Sequence, residues 1–452
     1  MDEQGELWTA DQVLALAPDD ASRRAGSKLG TPGPWSGTGG GRGAVWGLCK
    51  GSGRTPYRTV VDTTGPAYQC SCPSRKFPCK HALGLLLLRA GGEVPSAPGD
   101  AAGPPDWAES WLADRRERAE AARSAGPAPD AGPADPEAAR RRAERRAARI
   151  TSGAEELERR LADLLRGGLA AAERSGPGAW EETAARMVDA QAPGLAGRVR
   201  ELGAIAGSGP GWPVRLLEEC ALTHLLDRAW LSADRLPGPL AATVRTRVGL
   251  TAPPAGPLLR DRWLVLAQYD TAEGKLTARR VWLHGESTGR TALLLSFGAA
   301  GRAPQLALPV GAVLDAELRG YEGGGGLRAE LVGQFGAPAP AGPPPRGGTV
   351  GAALTAYGHA LREDPWLDAW PVTLAGVVPA RAEYGWQLAD AAGAEREAVP
   401  LTRAAQARPG LWRLVALSGG APLTVFGECG HQGFTPLAAW SPDAPGETVP
   451  LV

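Results

Sequence analysis

The chain has 452 residues, 43% of them apolar and 22% charged, and its formal net charge is zero. That balance excludes a protein that coats nucleic acid along its whole length, while ordinary apolar usage allows buried cores in roughly two to four domains. Six cysteines, three of them within ten residues, do not make a disulfide framework and suit a reducing compartment and a metal. Residues 1–20 are acidic and carry no long apolar run, so no secretory signal is expected. No stretch reaches the roughly 18 apolar residues of a membrane span. The expected location is the cytoplasm.

In chain order, residues 1–94 read as a compact basic module with strands at 44–49, 57–61 and 67–70. The glycine cluster at 37–43 has the look of a nucleotide loop, but no buried strand precedes it, so no nucleotide site is expected there. Between Ala21 and Gly92 the only acid is Asp62, and four of the chain's five lysines lie there. Residues 95–136 hold a helix over 106–123, with Trp107, Trp111 and Leu112 on one face, flanked by Pro/Gly/Ala spacers. Residues 137–255 are helical. Leu157, Leu161, Leu164 and Leu165 recur at helical spacing, and Leu216, Leu217, Cys220, Leu225 and Leu226 predict a further buried helix. The arginines of 140–149 read as a solvated helix face.

Residues 256–336 are β-rich, with strands at 263–269, 278–284, 292–297 and 313–318. A proline-rich spacer covers 337–348. Residues 349–452 are mixed and β-rich: a helix over 352–362, then strands at 372–378, 385–388, 411–417 and 423–427. Trp366 and Trp370 are expected to anchor a helix end onto this β region. The fold class is α+β and multidomain: a ββα-like module, a helical middle and a β-rich C-terminal half.

The chemistry lies in residues 68–81, YQCSCPSRKFPCKH. Alternate side chains of an extended segment point the same way, so Cys70 and Cys72 face one ion, and Cys79 and His81 pair likewise. The loop between the pairs, bounded by Pro73 and Pro78, brings them together. Three thiolates and one imidazole form the closed tetrahedral shell of one structural Zn2+. So small a module buries too little surface to fold well alone, and the metal supplies the difference.

The pattern C-x-C-x6-C-x-H resembles the SWIM zinc finger, a short β-hairpin followed by a helix, with all four ligand positions matched. That resemblance implies DNA binding or protein–protein contacts. The segments DRWLVLAQYD (261–270), RRVWLHG (279–285) and DPWLDAWPV (364–372) resemble bacterial SWIM zinc finger family proteins. This second resemblance implies an adaptor role beside a MoxR-type AAA+ ATPase and a von Willebrand factor A domain protein.

An accessory protein that recruits protein partners is the leading expectation; nucleic-acid binding through the basic finger is the alternative. Arg54, Arg58, Arg75, Lys76, Lys80 and Arg89 are the candidate contacts for either, with Tyr57, Tyr68 and Phe77 interleaved as stacking faces for nucleic acid. A second metal site from Cys220, His224, Cys429 and His431 is disfavoured by the separation of the two pairs. No nucleophile elbow, H-E-x-x-H helix or Walker loop occurs, so no enzymatic activity and no catalytic residue are expected.

Overall fold

The computed structural model describes residues 8–452 except 19, 42, 52, 65–66, 75, 96–102, 125–134, 274–275, 300–303, 305, 337, 341–342, 384 and 393–396. Most of the first two expected spacers, and residues 337, 341 and 342 of the third, therefore lie outside the described residues. No described helix is long and apolar enough to cross a membrane.

Two short helices, α1 (Ala10–Ala15) and α2 (Asp20–Ser27), precede a four-stranded antiparallel meander. Its strands are β1 (Trp35–Gly41), β2 (Ala44–Cys49), β3 (Tyr57–Asp62) and β4 (Ala67–Cys70), and α3 (Lys80–Ala90) follows. Residues 37–41 of the glycine cluster lie in strand β1. A Cβ on Gly39 would lie 2.8 Å from the Trp46 indole across the pair, so glycine is what lets that ring lie flat on the sheet. One face of the meander buries Val45 and Val61 against Leu83 and Leu85 of α3. On the other face, Ala44, Trp46 and Val60 receive α4 (Asp106–Ser124) through Ala108 and Leu112, with Trp107 and Trp111 alongside.

Five helices form the middle: α5 (Pro136–Gly167), α6 (Ala170–Asp189), α7 (Pro193–Ile205), α8 (Trp212–Leu231) and α9 (Gly238–Val248). Asp135 caps α5 by accepting from the Ala138 amide, with Pro136 opening the first turn. The core includes Ile150, Leu157, Leu161, Met187, Val199, Leu216, Cys220 and Leu226. Leu165, Leu217 and Leu225 are instead 46%, 48% and 43% exposed. Consecutive helical positions such as 216 and 217 point about 100° apart, so one core face cannot take both. Exposed pairs Arg140–Glu144 and Arg141–Glu137 occupy the arginine run, as a solvated face would.

The β-rich half begins with β5 (Leu258–Glu273), β6 (Leu276–Gly285), β7 (Thr291–Ala299), β8 (Ala312–Gly320), β9 (Arg328–Gln334) and β10 (Ala339–Pro340). Pairing runs β8-β5-β6-β7-β9 and returns from β9 to β8, with β7 and β9 parallel. The sheet therefore closes into a five-stranded barrel, with the connectivity of the small Greek-key barrels of the oligonucleotide/oligosaccharide-binding type. Side chains alternate across its wall. Trp263, Val265, Val281, Leu283, Ala292 and Leu294 fill the interior, whereas Leu264, Leu266, Trp282 and Leu293 point outward.

The last region contains α10 (Val350–Glu363), β11 (Ala369–Ala382), β12 (Gly385–Asp390), β13 (Ala398–Pro400), α11 (Arg403–Gln406), α12 (Gly410–Ser418), β14 (Leu423–Gly430), β15 (Gly433–Ser441) and β16 (Ala444–Pro450). Its antiparallel sheet has the order β13-β12-β11-β14-β15-β16. Residues 411–417, expected as a strand, form α12. Leu411, Leu414 and Ser418 bury at helical spacing, and Gly419 ends the helix in the left-handed region. A short apolar run does not distinguish the two periods.

Phe426, Leu437, Ala438 and Trp440 of the last sheet cover the outward residues of β5–β7. Tyr269 and Trp282 both donate to the Glu428 carboxylate across that contact, at 2.8 and 3.2 Å. Trp366 packs into a core, as expected, but not into that of the β region. It is buried in the helical core, its Nε1 donating to the Leu222 carbonyl at 2.8 Å, because Asp364 beside it is held by the Arg247 guanidinium of α9. Trp370 stays with the β region and packs over Gly325.

Candidate metal centre

The register of β3 and β4 sets Thr59 opposite Cys70 at the end of the hairpin. The Thr59 hydroxyl lies 3.2 Å from the Cys70 sulfur. Cys72 follows two residues later, where the chain has left the sheet. The second pair opens α3: Cys79 is its N-cap residue, with Sγ accepting from the Ala82 amide at 3.5 Å, and His81 sits in the first turn. One sulfur therefore both caps a helix and faces the site.

The three sulfurs and one imidazole nitrogen all lie within 4.8 Å of one another. His81 Nδ1 is 3.7 Å from the Cys70 sulfur and 4.0 Å from that of Cys79. Zinc bonds of about 2.3 Å to sulfur and 2.0 Å to nitrogen in a tetrahedron place donors roughly 3.5–3.8 Å apart, so the cluster needs only a slight contraction. Three soft donors and one imidazole suit zinc and complete its shell. Cys79 and His81 are buried, while Cys70 and Cys72 are half-buried. The His81 ring rests against Tyr57, with ring centres 4.8 Å apart.

Electrostatics follow from the crowding of the donors. Hydrogen bonds from Cys70 and Cys79 pull the Cys72 thiol far down, and hydrogen bonds with Cys70 and Cys72, then burial, push the Cys79 thiol far up. Burial lowers the His81 pKa, and the sulfurs of Cys70 and Cys72 outweigh it, giving about 9. Such a cluster holds protons that a divalent cation displaces on binding. Cys49, at the end of β2, is close enough to feel Cys70 and Cys72 but stays outside the donor group, its thiol pushed up to about 11 first by burial.

Thr59 was not among the residues expected from the sequence, and Tyr57 was expected as a stacking face for nucleic acid, whereas the structure sets it against His81. Thr59 was discoverable, because a hydroxyl directly across the hairpin from a ligand sulfur follows once the strand register is fixed.

Of the expected contact residues, Arg54, Arg58, Lys76 and Lys80 are exposed around this end of the module. Arg75 lies outside the described residues. Arg89 is partly buried and donates to the Ala44 carbonyl at 3.1 Å, a role within the fold; burial lowers its pKa. The disfavoured second cluster does not assemble among the described residues. Cys220 is in the helical core, His224 bonds Glu158 at 2.8 Å, Cys429 is buried in β14, and His431 lies 3.3 Å from the Tyr357 hydroxyl.

A hairpin-and-helix unit closed by a Cys3His cluster defines a structural zinc-finger module. Residues 57–90, from the first residue of β3 to the last of α3, match the SWIM zinc finger family model, and residues 145–248 match the SWIM-associated four-helix bundle domain. The chain thus carries a SWIM zinc finger together with its associated helical domain, and the finger's cluster is consistent with one structural zinc ion. No curated protein and no solved structure matches the chain.

Proposed function

We propose that the protein is a non-catalytic, zinc-stabilised adaptor of the cytoplasm, in which the SWIM finger presents a surface to protein partners. The carrying observation is the closed donor set: three sulfurs and one nitrogen fill zinc's tetrahedral shell, the arrangement of structural sites. Such an ion shapes a surface and does not activate water. Among partners, the resemblance to bacterial SWIM proteins favours an AAA+ ATPase of the MoxR type and a von Willebrand factor A domain protein.

Protein is favoured over nucleic acid by the state of the barrel. Barrels of this connectivity take oligonucleotides on the outer face of their second and third strands. Here the corresponding residues Trp282 and Leu293 are buried under Phe426 and Trp440. The test is affinity capture from native cells with the full chain as bait, with and without nuclease. Protein partners that survive nuclease and are lost with Cys72→Ser support the adaptor. Recovery that depends on intact nucleic acid overturns it in favour of DNA binding.

A further inference from the structure

Leu411 and Leu414 anchor α12 in the core of the last region, 3% and 0% exposed. Trp412 follows one step round the helix, about 100° away, and turns outward. It is 64% exposed, the most exposed large apolar side chain among the described residues. Its ring meets that of Trp386 on β12 edge to face, with centres 6.0 Å apart and planes at 84°. Arg381 of β11 pairs with Trp386 across the strands, and its guanidinium lies 5.2 Å from the centre of that ring. We infer that this cluster of two indoles and a cation is a docking surface for a proline-rich segment of a partner protein, with an acidic residue beside its prolines. The surface does not involve the finger, so it adds a second point of contact to the adaptor reading.

The first argument is the chemistry of the two rings. A polyproline II segment has no hydrogen bonds of its own, and its carbonyls stay open to donors. Aromatic surfaces recognise such segments because the preformed helix loses little entropy on docking. Two indoles at right angles give one proline ring a floor and a wall. Core tryptophans use their indole N–H inside the fold, as Trp263 does on the Ala316 carbonyl at 3.1 Å and Trp440 on Thr448. Those of Trp386 and Trp412 have no acceptor among the described residues, which leaves two donors for peptide carbonyls.

Charge supplies the second argument. Arg381 is exposed and forms no ion pair among the described residues. Stacking on an indole leaves the forked N–H donors of a guanidinium able to take a carboxylate. The steps of 5.2 and 6.0 Å around Trp386 each match about two residues of a polyproline II chain, at about 3.1 Å per residue. An acid two positions from a proline therefore reaches Arg381 while the next proline reaches Trp412.

The third argument is rigidity. The Trp386 amide donates to Gln406 Oε1 at 3.2 Å, and its carbonyl accepts from the Leu401 amide at 2.8 Å. Trp412 stands on a helix whose opposite face is locked in the core. Both platforms are thus in place before a ligand arrives, which lowers the cost of binding.

The test uses the zinc-loaded full chain and the fluorescein-labelled peptide GDAPAPPG, followed by fluorescence anisotropy at low salt. GDAAAAAG and GKAPAPPG are the comparison peptides, and unlabelled cellohexaose is the competitor. We expect GDAPAPPG to bind about tenfold more tightly than GDAAAAAG and about threefold more tightly than GKAPAPPG. Trp412→Ala should weaken GDAPAPPG by about tenfold and leave the thermal unfolding midpoint unchanged, since most of that side chain lies in solvent. Arg381→Glu should reverse the charge preference, so that GKAPAPPG becomes the tighter ligand; this reversal decides the matter if Trp412→Ala disturbs the fold. Equal affinity for GDAPAPPG and GDAAAAAG overturns the inference, as does an unreversed preference in Arg381→Glu. Release of the peptide by cellohexaose overturns it in favour of a carbohydrate surface. Failure here leaves the finger's adaptor role standing, because that role is read from partners lost with Cys72→Ser, whereas the peptide assay reads Arg381 and Trp412.

Discussion

The zinc finger and the barrel with its covering sheet are both packed on two faces, and they differ in what holds their loops. In the finger, both faces of the sheet are packed, Val45 and Val61 against Leu83 and Leu85 of α3 and Ala44, Trp46 and Val60 against Ala108 and Leu112 of α4, but among the described residues no backbone–backbone hydrogen bond ties down 72–78. The loop's position then depends on its sulfurs. In the barrel, β5–β7 bury both faces: Trp263, Val281 and Leu294 inward, Leu264, Trp282 and Leu293 outward. Four donor atoms hold the one segment that packing leaves untied in the first region, and two packed layers hold the second. The comparison predicts that the two respond to different insults.

Metal removal should produce the largest effect. Structural zinc contributes about 10–16 kcal/mol in finger peptides, more than a domain's usual net stability. Chelation, or Cys72→Ser, is expected to abolish amide-exchange protection across residues 57–90 and to leave 258–450 protected. Protection that persists in the finger without metal would break the comparison on its first side.

The other side is broken from within the core. Trp440 is 1% exposed, and its Nε1 donates to Thr448 Oγ1 at 3.0 Å. Trp440→Ala should lower the stability of the C-terminal half by about 3–5 kcal/mol, read from denaturant unfolding, with zinc content unchanged. Loss of zinc in this variant would show that the two regions fold as one unit.

Acidity sharpens the contrast through Asp227 of the helical middle. This carboxyl is fully buried, and neither oxygen has a hydrogen-bond partner. Burial, and secondarily the charge of Glu158, push its pKa up to about 8. The unfolded value is about 4. Between those values the folded state holds a proton that the unfolded chain releases, so stability is complete below about pH 4 and declines as pH rises to about 8. Asp227→Asn should remove that slope, gaining about 2–5 kcal/mol over the parent at pH 8.5 and progressively less toward pH 5. The finger should move the opposite way, since protons compete with zinc for its ligands. Equal denaturant midpoints for parent and variant at pH 8.5 would refute the assignment.

How much of this was legible in sequence depends on whether the signal was local. The ligand spacing is local, and the cluster assembled as the pattern required. The four strands expected in the barrel region appear because alternating runs such as 278–284 are local too. Strand β1 was hidden because its glycines answer to Trp46 across the sheet, and α12 because seven apolar-rich residues fit either period. Trp366 was misdirected since its partners, Leu222 and the core around it, are distant in sequence.

The smallest effect tests whether the finger's dependence on Cys79 is truly a matter of metal. Cys79 caps α3 as Thr349 caps α10, each accepting from the amide three residues on, at 3.5 and 3.2 Å. Capping alone contributes about 1 kcal/mol. Thr349→Ala should therefore lower stability by about that much, and Thr349→Ser should leave it nearly unchanged, since either hydroxyl can accept the bond. If Cys79 were chiefly a cap, Cys79→Ser would be equally mild. Because its sulfur is also one of the four donors, that substitution should release zinc and unfold residues 57–90. Stability curves for the two serine variants, measured with zinc present, decide between cap and ligand: near-coincidence of both with the parent would remove the metal from the account of this module.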